Sequence, residues 1–594
     1  MRYPKLRELP TSREIVEVFR GYNHNLRIGD GEFYDMTNLS SDNYPVLSPR
    51  HQRGVYATPT NPQGLARYDN LCYVDGTKLV VDKYPVEMNL STKAEDCPKP
   101  LIRTGAYLII LPDKKWINLT NLTASGNIDA SVSTTGVTTF TMCKVDGAEY
   151  ENVHVGSVAP AVTETDENGD EVEKDSKDIP LWLDTSGEIH SLKQYSKTMS
   201  AWTTIATTYV KISATGIGLP FEEGDGVTIS GIENEQLSDL NNTMIVWAKG
   251  DNYIVVTGIC DKVVTQSAAI KVERRMPTMD FVIESENRLW GCHYGIAQNG
   301  EVVNEIYASK LGDFKNWHCF AGVSTDSYAA TVGTDGQFTG AITHLGYPLF
   351  FKENYIHKVY GNFPANYQIN TTACRGVQKG SQNSLAIVNE VLYYKSRSGI
   401  CSYDGSLPVE VSAALGDVQY HDAVAGTLGN KYYISMADED GEHHLFVCDT
   451  LKGMWHREDD TQVDAFCNCR GDLYYIDHAD NCIKTVRGTG ATETAPIKWQ
   501  AVTGIIGTNT PDKKYISRMD VRMSLSVGTR VIFFAEYDSS GEWEHLFTMD
   551  GVKLRTFAVP IRPQRCDHMR LKIVGVGDAK IYSICKTIEQ GSDT

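Results

Sequence analysis

Cysteine and histidine residues near position 470 are the first side chains whose types could bind a metal. Cys467 and Cys469 are two residues apart, and His478 and Cys482 follow within one short segment. Thiolates and imidazoles suit zinc, but residues two apart on a strand share a face and cannot both reach one tetrahedral ion without a turn between them. The pattern therefore favours cysteines of a packed core over a zinc site.

An acidic segment precedes a histidine pair and could hold a hard cation. It contains Asp438, Glu439, Asp440, Gly441 and Glu442, followed by His443 and His444. The segment lacks the ligand order of a calcium loop, and its composition is typical of a polar hairpin turn. A solvated turn is the favoured interpretation.

A second candidate for calcium is the alternating set Asp166, Asn168 and Asp170. Oxygen ligands at alternate positions begin an EF-hand loop, yet Gly169 falls in the wrong place and no helical pattern flanks the segment. We therefore expect no calcium site there.

Other chemistry leaves little trace in the sequence. No Walker A, G-x-S-x-G, H-E-x-x-H or G-x-G-x-x-G pattern stands in a usable context, so we predict no catalytic residue, no cofactor, no metal and no enzyme activity. Carboxylate pairs for glycoside hydrolysis stay open, because their separation of about 5 to 9.5 Å belongs to the fold and not to sequence spacing. The tryptophans could serve as sugar platforms, but packing between sheets is favoured. They are Trp116, Trp182, Trp202, Trp247, Trp290, Trp317, Trp455, Trp499 and Trp543.

The elements that would position such residues are strands. The 594 residues are 41% hydrophobic and include 31 tyrosines, which recur with Thr, Val and Ile in short alternating runs. Seven stretches repeat one turn, strand, turn, strand pattern: 68–82, 105–119, 287–311, 346–361, 389–405, 429–450 and 471–488. The later anchors Leu349, Leu392, Tyr432 and Leu473 are spaced by 43, 40 and 41 residues. This period is typical of β-propeller blades.

The domain organisation follows from the repeats and their interruption. We predict an all-β protein: a β-propeller of six to eight blades with an inserted small β domain and a C-terminal β-sandwich. The predicted parts are an N-terminal arm (1–60), first blades (61–125), the insertion (126–275), remaining blades (276–490) and the sandwich (491–594). Within the insertion we expect a β module at 195–272 and a mobile acidic loop at 161–177. Residues 12–19 give the one helical signal, with Ser12 as a candidate cap.

Charge and cysteine content limit the partners and the compartment. The chain has 56 basic and 75 acidic residues, a formal net charge of −19, so no global attraction to nucleic acid or to anionic lipid exists. Basic residues gather near the C-terminus, where a solvated sheet face explains them as well as a binding patch: Arg518, Arg522, Arg530, Arg555, Arg562, Arg565 and Arg570. No apolar run has signal or membrane-spanning length, and 14 irregularly spaced cysteines favour a reducing compartment.

The N-terminal arm and one blade segment, 287–317, contain a set of short motifs. The arm residues that form them are Gly21, Asn25, Leu26, Arg27, Gly31, Glu32, Asp35, Met36, Asn38, Tyr44, Pro45, Leu47, Pro49 and Arg50. With these motifs the chain resembles the tail nozzle proteins of short-tailed bacteriophages, over most of 15–490. The resemblance implies a virion protein that forms a homo-oligomeric ring, with a hexamer favoured, below the portal and adaptor. It also implies genome DNA passing through the ring without specific binding, and assembly in the host bacterial cytoplasm.

Three functions therefore follow as expectations. The first is a structural tail protein without chemistry. The second is a propeller whose C-terminal sandwich binds carbohydrate or a receptor at a tail tip. The third is a glycoside hydrolase or lyase on a propeller scaffold. Loss of activity on substitution of inward-facing acids distinguishes the third function from the others. Loss of glycan binding on truncation near Thr492 tests the second.

Overall fold

The chain folds into strands almost throughout, and its largest unit is a ring of seven four-stranded antiparallel sheets. The computed structural model describes residues 11–166, 169–296, 300–507, 513–551, 553–562 and 564–590. Alternating apolar residues form these strands because each sheet buries both faces against its neighbours in the ring. The strands are, from the inner to the outer one, in blade 1 Pro62–Arg67, Leu71–Asp75, Lys78–Val81 and Tyr84–Glu87; in blade 2 Leu101–Thr104, Tyr107–Ile110, Lys115–Asn118 and Asn121–Asn127; in blade 3 Phe281–Ser285, Arg288–Ile296, Val302–Ala308 and Tyr328–Thr331; in blade 4 Gly340–His344, Tyr347–Lys352, Tyr355–Tyr360 and Gln368–Ala373; in blade 5 Ala386–Val388, Val391–Lys395, Ile400–Tyr403 and Val409–Glu410; in blade 6 His421–Leu428, Lys431–Ala437, His443–Asp449 and Met454–Asp459; and in blade 7 Val463–Cys469, Asp472–Asp477, Ile483–Thr485 and Gly54–Ala57.

The ring closes through its seventh blade, which combines distant parts of the chain. Gly54–Ala57 pairs antiparallel with Ile483–Thr485 on one edge and with Ala491–Thr492 on its other edge. An apolar cluster lies between each pair of successive blades, including the pair formed by blades 7 and 1, where Ile476 and Leu71 meet. The prediction of six to eight blades is therefore confirmed at seven.

The inner strands of the blades surround a central axis. Successive inner strands contact one another, and between blades 4 and 5 the 3₁₀ helix Gln382–Ser384 completes the ring. Every blade begins at its inner strand, so all seven inner strands start at the same end of the axis. We call that end the mouth.

The inserted β domain lies between blades 2 and 3, as the sequence predicted. Two sheets enclose its core, which includes Phe140, Phe221 and Val256. A third sheet and a hairpin flank them. The strands in sheet order are Ala130–Ser133, Lys271–Arg274, Gly226–Ser230 and Thr243–Ile245; Ala248–Gly250, Tyr253–Thr257, Tyr209–Ser213, Thr138–Cys143 and Val264–Gln266; Val153–Gly156, Leu181–Asp184, Ser191–Ser196 and Ala201–Thr204; and the hairpin Thr163–Thr165 with Glu171–Glu173.

Two expectations inside the insertion differ from the structure. The compact unit starts at Ala130 and not near 195, because Ala130–Ser133 and Thr138–Cys143 complete its two sheets. The acidic stretch 161–177, predicted as a mobile loop, contains the exposed hairpin just described. Cross-strand backbone hydrogen bonds form there without apolar burial, which the composition could not indicate.

The C-terminal β-sandwich, also confirmed, is joined to the propeller by the N-terminal arm. One sheet has the order Thr11–Val16, Ala579–Gln590, Lys514–Leu525 and Arg555–Val559. The other is the far half of a ten-stranded sheet that runs from blade 6 through Gly21–Tyr22 and Glu32–Thr37 to Lys498–Thr503, Met569–Val576, Arg530–Tyr537 and Glu544–Asp550. The arm thus lies across its own propeller and completes both sheets, with Leu39–Ser40 and Ser48–Pro49 pairing within it.

The helix predicted at 12–19 is wrong. Thr11–Val16 is a strand whose Ile15 pairs with Cys585 on the long strand Ala579–Gln590. A helix of two turns is marginal in water, and the free edge of a twelve-residue strand offers a complete ladder of hydrogen bonds instead. The described helices are short 3₁₀ turns at Ala94–Asp96, Glu235–Leu240, Pro364–Asn366, Gln382–Ser384 and Ala413–Leu415. In the described ranges no helix is long and apolar enough to cross a membrane.

Candidate functional site

The mouth of the propeller carries three aspartates, each held by its own histidine. Asp280 directly precedes the inner strand of blade 3, while Asp422 and Asp464 are the second residues of the inner strands of blades 6 and 7. The Nδ1 atoms of His293, His421 and His478 lie 3.0, 2.8 and 2.9 Å from the carboxylate oxygens of Asp280, Asp422 and Asp464, respectively. An Nδ1–H that donates to a carboxylate leaves Nε2 as the nitrogen with the lone pair.

β-Bulges set the direction of the aspartate side chains in blades 6 and 7. The register shifts between His421 and Val424, and the equivalent shift in blade 7 lies between Val463 and Ala465. Asp422 adopts a left-handed backbone with φ of 49°. A bulge turns a side chain out of the regular alternation, and strained residues of this kind occur at functional sites. Both carboxylates thereby leave the packed faces of their blades.

Blade 5 leaves room for the carboxylate of Asp422. A Cβ atom on Gly380 would stand 2.7 Å from Oδ1 of Asp422. Any other residue at position 380 would displace that oxygen, and the φ of +86° at Gly380 also favours glycine. The glycine therefore fixes the space beside one acid of the site.

His443 lies between the two Asp–His pairs. Cross-strand pairing puts His421, Ala437 and His443 in one row on the same face of blade 6, the face that packs on blade 7. Within the described residues, the buried Nδ1 of His443 has no hydrogen-bond partner. Burial lowers the pKa of His443 below its ordinary value, while Asp422 opposes that shift. We call His421, Asp422, His443, Asp464 and His478 the mouth cluster.

The mouth cluster has the groups that acid–base chemistry needs. Two carboxyls come from neighbouring blades, each is oriented by an imidazole, and a neutral imidazole lies beside them. General acid–base catalysis requires such positioned groups near solvent. A pair of carboxyl groups is also what glycoside hydrolysis uses, one as acid and one as base or nucleophile.

The cysteines singled out in the sequence do not join His478 in one site. Cys469 packs in the apolar cluster between blades 7 and 1, and Cys467 lies at its edge. Burial raises the pKa of Cys467 to about 12, which keeps it a thiol. The Sγ of Cys482 contacts the carbonyl of Asp480, and His478 turns to Asp464. All fourteen cysteines are free, and in the described parts of the chain no three His, Cys, Asp or Glu side chains are arranged to hold one metal ion.

The acidic hairpin before His444 uses its carboxylate internally. Asp438 accepts from the backbone N–H groups of Asp440 and Glu442, both at 3.0 Å, and lies 2.9 Å from Nε2 of His444. These contacts lower the pKa of Asp438. The Asp438 carboxylate therefore stabilises the turn, and its oxygen atoms are already used in these three contacts.

The alternating set at 166–170 also forms a turn. The N–H of Asp170 donates to the carboxylate of Asp166 at 2.9 Å. Asn168 lies outside the described residues.

Most of the remaining candidates have structural roles. Trp290, Trp317, Trp455 and Trp499 are each 2% exposed in the cores, whereas Trp247 on the insertion is 37% exposed. Of the C-terminal arginines, Arg518 pairs with Asp520 and Arg530 with Asp550. The guanidinium of Arg570 lies 5.1 Å from the ring centre of Tyr34. These three arginines are on different strands, and two of them are paired with a carboxylate.

Comparisons with known proteins give distant likenesses only. No family model and no curated protein matches the chain. An exo-beta-1,3-galactanase from Phanerochaete chrysosporium, solved with galactose, is 9% identical, covers 51% of this chain and 94% of its own, and has a TM-score of 0.21. A glycoside hydrolase family 43 arabinoxylan arabinofuranohydrolase from Bacillus subtilis, in complex with cellotetraose, is 7% identical, covers 51% and 94%, and has a TM-score of 0.14. A Trypanosoma rangeli sialidase is 8% identical, covers 97% and 96%, and has a TM-score of 0.21.

Two predictions are corrected by these findings. The sequence predicted a structural tail protein without enzyme activity, whereas the similar solved structures named above are glycoside hydrolases and a sialidase. The physical reason lies in what the arm motif does. Gly21 passes close to the backbone carbonyl of Trp455 in blade 6, and Gly31 to that of Val18 within the arm. Arg50 pairs with Glu493. These residues shape the arm and hold it on the rest of the fold, so their resemblance indicates how the fold assembles and not what the protein does.

The other expectations drawn from the resemblance have no counterpart in the comparisons. Four expectations stay predictions: membership of the tail nozzle family, the hexameric ring, the portal and adaptor as partners, and the location in a virion. TM-scores near 0.2 carry nothing about substrate or residue roles in this chain.

The mouth cluster left one signal in the sequence that the motif search missed. Asp422-Ala423 and Asp464-Ala465 are the same dipeptide one repeat period apart. Alignment of the blades against one another, and not a search for known motifs, would have marked both acids as equivalent.

Proposed function

We propose that this chain is a carbohydrate-active propeller that cleaves glycosidic bonds at the mouth cluster. The observation that carries the proposal is the placement of Asp422 and Asp464 at equivalent bulges of neighbouring inner strands, each with a histidine at its carboxylate. A glycosidic bond lying across blades 6 and 7 would meet a carboxyl from each blade.

The chemistry assigns one carboxyl to each half of the reaction. One protonates the leaving oxygen, and the other either attacks the anomeric carbon or takes a proton from the attacking water. The imidazoles of His421 and His478 hold the carboxylates in place. His443 lies beside them, and burial lowers the pKa of its imidazole.

The distant neighbours, with TM-scores near 0.2, carry no part of this proposal. The mouth cluster supports it, and the substrate that it implies is a glycan in the broad sense.

The experiment is a screen of aryl glycosides and natural oligosaccharides with the full chain, followed by kinetics of D422N and D464N. We expect each substitution to lower kcat by about a hundredfold or more, since each removes one of the two groups that move protons. The matched control is D280N, which removes the equivalent acid of blade 3 outside the mouth cluster and should leave kcat within about twofold of the wild type. Restoration of turnover by azide in one variant would identify its missing carboxyl as a nucleophile and not as a general base.

Two results would overturn the proposal. One is a complete lack of turnover on the panel by a folded protein, including the case in which glycans bind but are not cleaved. The other is a measured activity that D422N and D464N retain to the same degree as D280N.

A further inference from the structure

A second cavity lies at the end of the propeller opposite the mouth. It is formed where the first two strands of blade 6 meet at Gly429 and Asn430, beside the end of the third strand of blade 7 and the arm. Its volume is about 290 Å³. That volume equals about ten waters at about 30 Å³ each, and lies at the lower end of ligand pockets, about 300 to 1,000 Å³.

Most charged groups around this cavity are already paired. Lys431 donates to Asp42 at 2.7 Å, Lys452 to Asp449 at 2.9 Å, and Arg53 behind the wall to Glu458 at 2.8 Å. Since each of these cations is paired with a carboxylate, the positive and negative charges cancel at the cavity wall. The charge that a ligand meets must come from another group.

Arg487 is that group. Its side chain is exposed, lines the cavity, and in the described portion of the chain its guanidinium has no ion pair or hydrogen bond. The same guanidinium also lines the larger neighbouring cleft between the propeller, the arm and the sandwich. A guanidinium offers five N–H donors in a planar fork that matches carboxylate, phosphate and sulfate oxygens.

Tyr433 gives the second, independent observation. The residue is 3% exposed and its side chain lines the cavity, but no hydrogen bond of its hydroxyl is found in the described structure. Desolvation, with the carboxylates of Glu458 and Asp42, holds the pKa of Tyr433 well above its ordinary value, so the hydroxyl is a neutral donor; Arg53 and Arg487 oppose this shift. The residue lines the cavity, so a ligand oxygen can accept from its hydroxyl in place of water.

We propose that this cavity binds a small hydroxylated ligand carrying one oxyanion, with the Arg487 guanidinium and the Tyr433 hydroxyl as its donors. The oxyanion neutralises the unpaired guanidinium. The hydroxyl groups of the ligand meet the paired lysines and aspartates that line the cavity. This site is separate from the mouth cluster and does not depend on its activity.

The test is calorimetric titration of the full chain at low ionic strength with three probes: inorganic phosphate, glucuronate and uncharged glucose. We expect saturable binding of phosphate, glucuronate or both, and none of glucose. Binding of phosphate alone identifies a phosphate group as the anchor, and binding of glucuronate alone identifies a sugar carboxylate. Saturable binding of glucose as tight as that of the anions, or no binding of either anion, overturns the proposal.

Two variants tie the binding to the cavity. R487Q and Y433F should each weaken anion binding by about tenfold or more, because each loses a donor to a charged group. R397Q is the matched control, since Arg397 is an exposed arginine of blade 5 that does not line the cavity. Y433F should also melt no lower than the wild type, because the hydroxyl that it deletes has no bond to lose. Wild-type affinity in both R487Q and Y433F, or an equal loss in R397Q, contradicts the assignment.

Discussion

Arg53 of the N-terminal arm and Glu458 of blade 6 form an ion pair of 2.8 Å in which the two side chains are only 6% and 5% exposed. Arg53 also reaches Asp459 at 2.8 Å. The pair joins positions 405 residues apart in the chain. It holds the arm against the outer strand of blade 6, directly before the segment that closes the ring.

The first prediction concerns this pair. Arg53→Met leaves the buried Glu458 carboxylate without its cation, so the free energy of unfolding should fall by about 3 to 5 kcal/mol. The measurement is the thermal midpoint of the full chain. Arg530→Met is the control, because Arg530 and Asp550 form an ion pair whose side chains are 60% and 67% exposed. An unchanged midpoint in both variants would show that the arm contributes nothing through Arg53.

The second prediction concerns ring closure at Gly54. A Cβ atom there would lie 2.6 Å from the carbonyl oxygen of Thr489 and 2.8 Å from the carbonyl carbon of Gly488. Because backbone cannot move aside cheaply, Gly54→Ala should destabilise the protein by about 1 to 3 kcal/mol. Amide exchange should rise along Ile483–Thr485, the partner of the closing strand. Gly333→Ala, with nothing within 4 Å, is the control; exchange that rises equally in both would contradict the closure argument.

The repeats were predictable because their signal is local. Each of the seven stretches found in the sequence contains the two central strands of one blade, and the anchors Leu71, Leu289, Leu349, Leu392 and Leu473 are all buried. Alternation along a strand and turn residues at its ends are visible in any window of ten residues. Blade count and fold class follow from these windows.

The role of the arm could not be predicted in the same way. Its residues contact partners more than 400 positions away, and nothing local marks them as strands of other sheets. The boundary drawn near residue 491 shows the consequence. Lys498–Thr503 pairs with Glu32–Thr37, so a cut near Thr492 removes a strand on which the arm depends and would not isolate a sandwich.

The mouth cluster was missed for a related reason. Asp422 and Asp464 reach the mouth through bulges, which are features of strand pairing and leave no motif. His478 and His443 were noted as candidates for metal sites, yet each belongs to this acid–histidine cluster. The types of residue were informative, whereas their partners depended on the closure of the ring.

The third prediction concerns pH. Burial lowers the pKa of His456 to about 3 and that of His357 to about 4. When the pH falls below about 6.5, the unfolded chain takes up these protons and the folded chain does not, so stability is lost as the pH falls from 6.5 toward 4. Each histidine contributes a slope of about 1.4 kcal/mol per pH unit within that window. Carboxylates with lowered pKa, such as Asp449, lose their contribution only below about pH 4.

The measurement is the thermal midpoint between pH 7 and 4.5. In His456→Phe the thermal midpoint should decline less steeply with falling pH, by the contribution of one histidine, because the phenyl ring takes up no proton in either the folded or the unfolded state. His154→Phe is the control, because His154 is exposed and no ion pair or hydrogen bond of its ring is found in the described structure. A decline of the same steepness in H456F and wild type would exclude His456 as its source.

The fourth prediction tests the space beside Asp422 without altering a titratable group. Gly380→Ala places a methyl group 2.7 Å from Oδ1 of Asp422, so the carboxylate must rotate away from the mouth. We expect kcat for glycoside cleavage to fall by about tenfold or more, since misplacing a reacting group by about 1 Å costs up to about a hundredfold. Gly346→Ala matches the backbone strain, with φ of +80° against +86°, but its methyl group meets nothing within 4 Å. Both variants should lose similar stability, and only G380A should lose activity. Equal kcat values in the two variants would show that the position of Asp422 does not govern turnover.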